Sequence, residues 1–420
     1  MRIHKFGGAS VKDAASFRNL AAIVAGLPKD EPYVLVVSAM GKTTNALEEI
    51  FRLAYARQDY TKQLQLLTDY HFSTATELFV SPEHPVFRAL QLLLDDLKEK
   101  LARFRTADFD CEYDQIIPFG ELLSSTLLHY WLQFSGIENN LLDCRTCIRT
   151  DLNWREATVD WAETEELIRQ QPHFAKNNHT PVVTQGFIGG TTTGLTSTLG
   201  REGSDYTAAI FAFCLNAASM TIWKDVPGLL NADPKLFKKT VKYEELSFQE
   251  TIEMAYYGAS VIHPKTIQPL SQKKIPLYVK SFANPEAAGT IIHDCRHEKI
   301  APAIIVKQNQ TLVSVEVKNL SFVTEHNLCD IFTLVSRVRL KLNVMQNSAV
   351  SFSFCFDYDE ARFKTLMEEL SAQYHVYYNH GLTLYTIKNY DEPTITRTLP
   401  EAEILLEQRT RTTFQAVCKL

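Results

Sequence analysis

The stretch HKFGGASVKDAASFRNLAAIVAGLPKDEPYVLVVSA, residues 4–39, decides how the whole chain is read. It begins as a strand, breaks at Gly7-Gly8, and continues with Phe17, Leu20, Ala21 and Val24. Those spacings of three and four form the stripe of an amphipathic helix. An unbroken apolar run, Tyr33–Ala39, then reads as a buried strand. Strand, helix, strand implies a right-handed crossover between parallel strands. The expected fold class is α/β, a three-layer αβα sandwich with a mostly parallel open sheet. The glycine pair leaves bare backbone where something must approach closely, and Lys5 just before it suggests a negative visitor. A helix start adds free N–H groups and a positive dipole end. A plain βα turn with a surface lysine explains the segment equally well.

Working outward, 420 residues are too many for one ordinary domain. A composition of 45% hydrophobic and 22% charged residues is that of a globular protein. A net charge of −6 argues against a nucleic-acid-binding surface spread over the molecule. No apolar run reaches the roughly 18–20 residues that span a bilayer, and no secretory signal order is seen at the N-terminus. A cytoplasmic protein without nucleic-acid or membrane partners is expected. Eight scattered cysteines fit reduced thiols. Cys144-x-x-Cys147 lacks a second ligand pair, and the histidines read as packing or surface residues.

Residues 46–105 read as a helical insertion, while TPVVTQGFIG and SMTIWKD read as further strands. Asn-Pro and Ala-Gly turns followed by mixed charge place a domain boundary near residues 296–303. Beyond it, strand and helix patterns succeed one another as β-α-β-β-α-β, an α+β module, and RTRTTFQAVCKL adds one more strand.

Two further loops carry chemistry. In TLGREGSDYTAAIFAFCL, glycines flank Arg201, whose planar fork could grip a carboxylate or phosphate. Ser204-Asp205 opens the helix there and could simply cap it. In MTIWKDVPGLLNADPK a buried strand runs into Lys224-Asp225 and two turns. Ligands of open α/β sheets bind beyond such strand ends, although turn chemistry alone also accounts for the residues. MGKTT resembles a Walker A ending but has Val36 where that motif needs glycine.

KFGGAS, VVSAMGKTTNAL, PFGELLSS, LGREGSDYTAA, WKDVPGLLNADP and EMAYYGASVIHPKTI together resemble the aspartate kinases of the amino acid kinase family, in family order over residues 1–295. The resemblance implies transfer of the γ-phosphoryl of ATP to the side-chain carboxylate of L-aspartate, the entry to lysine, threonine and methionine biosynthesis. It implies a catalytic domain over residues 1–296. Lys5 and Asp205 would be catalytic, with Lys5, Gly7 and Gly8 on the phosphate. Ser38, Ala39, Thr44, Asn45, Glu121, Arg201 and Ser204 would hold the substrate, Glu121 pairing with its ammonium group. Lys224, Asp225, Leu230, Lys235 and Ser260 would hold the nucleotide. Mg²⁺ is expected on phosphate oxygens and water, with no protein ligand assigned.

The chain departs from the family at Ala9 (usually threonine), Glu202 (usually glycine) and Ser260 (often lysine). Lys235 or Lys265 is expected to replace that lysine. Residues 303–420 resemble an ACT regulatory domain with its second unit truncated, implying a homodimer paired through it. Asn343 and Ala349 stand where acidic effector ligands are usual, so weak or absent inhibition by lysine is expected. The alternatives are another amino acid kinase or a catalytically inactive ACT-type ligand sensor. A fused homoserine dehydrogenase is not expected.

Overall fold

The computed structural model describes residues 1–420 except 29–30, 105, 176–177, 260–261, 298, 319–320 and 400–402. The chain divides into two units. The first comprises residues 1–229, 242–252 and 261–296; the second comprises 230–241, 253–260 and 297–420.

In chain order, β1 (Arg2–Phe6) leads through one 3-10 turn into α1 (Ala14–Ala25) and β2 (Tyr33–Val37). The expected insertion is helical: α2 (Thr43–Tyr55), α3 (Thr61–Leu78) and α4 (Pro85–Ala102). Then come α5 (Phe109–Ile116), α6 (Phe119–Phe134), β3 (Asn140–Leu142), β4 (Arg149–Thr150) and α7 (Trp161–Gln170). β5 (Val182–Gln185), β6 (Ile188–Thr191), β7 (Thr196–Thr198), α8 (Gly203–Cys214) and β8 (Ser219–Lys224) follow. β9 (Glu245–Ser247), α9 (Phe248–Tyr257), α10 (Pro264–Gln272), β10 (Leu277–Ser281) and β11 (Thr290–His293) complete this part of the chain.

The main sheet runs β3-β5-β2-β1-β8-β10-β11-β9, with β3 to β10 all parallel and β11 turning back against β10. Phe17, Leu20, Ala21 and Val24 are buried, as the helical stripe requires. The stretch TPVVTQGFIG divides into β5 and β6 rather than forming one strand. Gly186 at the break lies so close to α8 that a Cβ there would sit 2.5 Å from the Ser204 Cβ. Only glycine permits that approach. Cys144 and Cys147 are buried thiols directed at the carbonyls of Ile188 and Cys144, and no disulfide joins any of the eight cysteines.

The second unit contains β12 (Ala303–Val317), α11 (Glu325–Arg337), β13 (Leu342–Asn347), β14 (Ser351–Asp357), α12 (Glu360–Gln373) and β15 (Tyr374–Lys388). It continues with α13 (Glu392–Thr398), β16 (Glu403–Arg409) and β17 (Thr413–Lys419); β17 is the strand expected over RTRTTFQAVCKL, while the helix and strand before it were not anticipated. Its antiparallel sheet runs β13-β14-β12-β15-β17-β16. β12 and β15 are each 15 residues long, with register shifts between Lys307 and Leu312. Their two halves therefore serve the two ends of one continuous sheet, an ACT-like α+β domain. Segment 230–241 belongs here as well: Ala232 and Phe237 pack with Ile304, Ile387 and Phe414. The Asn231 carbonyl accepts from the Ile304 N–H. No helix among the described residues is long and apolar enough to cross a membrane.

Candidate active site

Side chains alternate across a strand, so Ile3 and Lys5 share one face of β1 while His4 and Phe6 share the other. Parallel pairing sets Lys5 opposite Ile222 and Phe6 opposite Trp223. Lys224, two residues beyond Ile222, therefore lies on the Lys5 face at the carboxyl end of the neighbouring strand. Helix α8 packs on that face, and Asp205 in its first turn meets both lysines. Lys5 Nζ lies 2.7 Å from Asp205 Oδ1 and Lys224 Nζ 4.0 Å from Asp205 Oδ2. Lys5 and Asp205 are 9% and 3% exposed, so this is a buried charge cluster. Burial favours the neutral acid of Asp205, but Lys5 and then Lys224 outweigh it and hold the carboxyl below its ordinary range.

The turn after β1 closes the site from another side. Gly8 permits a close backbone approach: a Cβ would lie 2.9 Å from the Ala39 carbonyl oxygen and 3.0 Å from that of Gly41. The Gly41 N–H donates to the Gly8 carbonyl at 3.0 Å. Gly7 is extended, and a Cβ there would reach within 3.4 Å of Lys5 Nζ. The glycine pair thus brings the loop after β2 against the end of β1.

That loop carries Ser38 and Ala39. The Ser38 carbonyl accepts from Ser124 Oγ at 2.7 Å, and the Ala39 N–H donates to Glu121 Oε1 at 3.1 Å. Glu121, in the first turn of α6, is 3% exposed, and its second oxygen has no hydrogen-bond partner. Burial pushes its pKa up to about 8, against the opposing pull of the Ala39 N–H and of Lys5. A carboxyl that is largely neutral in the free protein, with one oxygen unmatched, is set to receive a cationic group.

The other expected residues are placed as follows. Ser204 is buried against Gly186 at the start of α8, and Arg201 is exposed on the loop just before it. Thr44 is half-buried and Asn45 exposed in the first turn of α2; the buried hydroxyl without a partner there belongs to Thr43. Asp225 is exposed beyond β8. Leu230 and Lys235 lie in the segment that packs with the second unit. Ser260 lies outside the described residues.

Two features escape a reading along the chain. Glu202 adopts a left-handed conformation (φ 54°) that favours glycine, yet its carboxylate accepts from the His263 N–H at 2.9 Å. The side chain that replaces the usual glycine thereby ties the anion loop to the start of α10. Asp114 is fully buried and positions the same loop from α5. It accepts from the N–H groups of Arg155 and Thr198 at 3.0 and 2.9 Å and from Thr198 Oγ1 at 2.8 Å. Burial pushes its carboxyl up to about 6 against those bonds. Neither contact is visible before residues far apart in sequence are brought together.

A parallel sheet with paired lysines on a buried aspartate at its carboxyl edge is the frame of a phosphoryl-transfer family, and the model of the amino acid kinase family matches residues 1–281. The chain belongs to the amino acid kinase family. Within this family its relatives are aspartokinases. It is 30% identical over 401 residues to lysine-sensitive aspartokinase 3 of Escherichia coli, covering 93% of this chain and 87% of that protein. It is also 30% identical to the bifunctional aspartokinase/homoserine dehydrogenase 2 of Arabidopsis thaliana chloroplasts, spanning 42% of that longer protein. The crystal structure of E. coli aspartokinase III in complex with aspartate and ADP superposes with a TM-score of 0.82 at 27% identity. That superposition covers 100% of this chain and 96% of the other.

Proposed function

We propose that this amino acid kinase transfers the γ-phosphoryl group of ATP to the side-chain carboxylate of L-aspartate, giving 4-phospho-L-aspartate and ADP. The observation that carries the reading is the buried Lys5–Asp205–Lys224 cluster beside the buried Glu121, whose second oxygen has no partner. Its aspartokinase relatives support the choice of acceptor.

The acceptor carboxylate, with an ordinary pKa of about 3.9, is already ionised, so no general base is needed. One carboxylate oxygen attacks the γ-phosphorus. The bond from that phosphorus to the β–γ bridging oxygen breaks, and its electron pair leaves with ADP. The barrier is the approach of one anion to another, so catalysis consists of positioning and charge neutralisation. Lys5 contributes the cation nearest the transferred group, with the N–H groups of Gly7 and Gly8 beside it. Asp205 holds Lys5 extended in the site. Lys224 supplies a second cation at the same carboxylate, and Lys235 or Lys265 replaces the lysine that many relatives carry at position 260. Glu121 receives the substrate ammonium, Arg201 a substrate carboxylate, and Ser38, Ala39, Thr44, Asn45 and Ser204 line the same side. Asp225 borders the nucleotide.

The carboxylates of this site are committed, Asp205 to two lysines and Glu121 to the substrate ammonium. They build no all-protein cage for Mg²⁺, which fits an ion carried on phosphate oxygens and water. The protein acts in the cytoplasm, and copies of it pair through the exposed edges β13 and β16 of the second unit.

The test is ADP release from ATP–Mg with a panel of acceptors, repeated with Lys5→Ala. L-aspartate is expected to give the highest kcat/KM and Lys5→Ala to abolish most of it. A better turnover with glutamate, acetylglutamate, carbamate or UMP overturns the reading, as does an active Lys5→Ala.

A further inference from the structure

The histidines look dispersed along the chain, yet His293-Asp-Cys-Arg-His297 carries a spacing that this impression hides. His293 ends β11, which pairs in parallel with the terminal strand β9 so that Ile291 faces Glu245 and His293 faces Ser247. Leu246 and Ile292 point into the core. Alternation therefore puts Glu245 and His293 together on the outer face. The Cys295 N–H then turns back to the His293 carbonyl at 3.1 Å, returning the thiol to that face. His293 Nε2 lies 2.9 Å from Glu245 Oε2, and one ligand atom from each of Glu245, His293 and Cys295 lies within 4.8 Å of the others.

We propose that Glu245, His293 and Cys295 form a binding site for a zinc-class divalent cation that pins the edge strand β9 to β11. Imidazole, thiolate and carboxylate are the donor set of Zn²⁺; Mg²⁺ and Ca²⁺ take oxygen ligands. In a tetrahedral site, metal–ligand bonds of about 2.0–2.3 Å put ligand atoms roughly 3.3–3.8 Å apart, within a side-chain adjustment of the spacing here. The cation takes the place of the proton shared between His293 and Glu245 and of the thiol proton. Two neighbouring carboxylates add negative potential while engaged elsewhere: Glu250 accepts from Ser247 N–H and Oγ, and Asp294 pairs with Lys274. Three protein ligands leave the fourth position to water. The site is separate from the phosphoryl-transfer cluster, and nothing in it depends on the identity of the acceptor.

The test uses the full chain, stripped with chelator and held free of nucleotide and Mg²⁺, titrated with Co²⁺ and then Zn²⁺. The expected result is a thiolate-to-cobalt charge-transfer band with the visible bands of tetrahedral cobalt, bleached by Zn²⁺, and a melting temperature raised by Zn²⁺. Cys295→Ser is expected to abolish the band and to weaken Zn²⁺ binding by more than about tenfold. Glu245→Gln, which keeps the side-chain shape and the thiol, is expected to keep the band while weakening binding. Absence of the thiolate band in the unaltered chain overturns the site. So does Zn²⁺ affinity and a melting shift that persist unchanged in both variants.

Discussion

The two units treat buried polarity in opposite ways. In the first, Glu121 keeps one oxygen unmatched, and Lys5 and Lys224 crowd a single aspartate. In the second, a run of polar side chains satisfies the buried Gln310 link by link, from half-buried Lys307 to exposed Asp357. Lys307 Nζ donates to Asn343 Oδ1 at 2.8 Å, Asn343 Nδ2 to Gln310 Oε1 at 2.7 Å, and Gln310 Nε2 to Asp357 Oδ1 at 2.6 Å. A buried ion pair contributes little net stability, because desolvation offsets the attraction. Unmatched groups at the end of a sheet therefore point to a ligand, whereas a satisfied chain points to structure. Asn343 has both ends of its amide engaged inside the second unit.

The sharpest way to break this contrast is Lys5→Ala. Loss of one preorganised cation at the transferred group should lower kcat/KM for aspartate by about a hundred- to a thousand-fold, measured by coupled ADP detection. Next is Asp205→Asn, which leaves two lysines crowded without their counter-charge. Uncompensated buried charge costs about 3–5 kcal/mol, so the thermal unfolding of this variant should start several degrees lower, with activity also reduced.

A third measurement concerns Glu121. Its pKa of about 8 means that the free protein holds the proton at neutral pH, whereas an ammonium group needs the carboxylate. Aspartate binding should therefore release a proton below pH 8, and KM for aspartate should fall several-fold between pH 7 and 8. Glu121→Gln should raise KM and flatten that dependence. A KM that stays constant over this range in the unaltered protein would sink the ammonium role.

In the second unit, Asn343→Ala removes a donor from Gln310 and an acceptor from Lys307. It should cost about 1–3 kcal/mol, seen in denaturant unfolding, while leaving KM for aspartate unchanged. The smallest expected effect is that of free lysine. At low millimolar concentration it should leave the rate unaltered, and clear inhibition would overturn the expectation that this domain does not respond to lysine.

Much of this was legible along the chain. The stripe of α1, the buried run of β2 and the turn between them fix a parallel crossover, because periodicity and turn chemistry are local properties. Lys5 and Asp205 could be singled out in the same way, since each sits in a short motif at the end or start of an element, whereas Glu121 came only from the resemblance of PFGELLSS to the aspartate kinases. Lys224 could be placed only near a strand end. Its partnership with Asp205 follows from the register of β1 against β8. Glu202 read only as a departure from the family's usual glycine, and only the contact with His263 reveals what the side chain does there.

Local pattern thus determined the kind of elements, their order, and the presence of cations and glycines suited to a phosphate. Tertiary structure alone decided which lysines share one aspartate, which carboxyl is buried enough to hold its proton, and that residues 230–241 join the second unit. The reason is physical: burial and electrostatic pairing depend on distances between residues up to some two hundred positions apart, and the spacing of neighbours along a chain does not encode them.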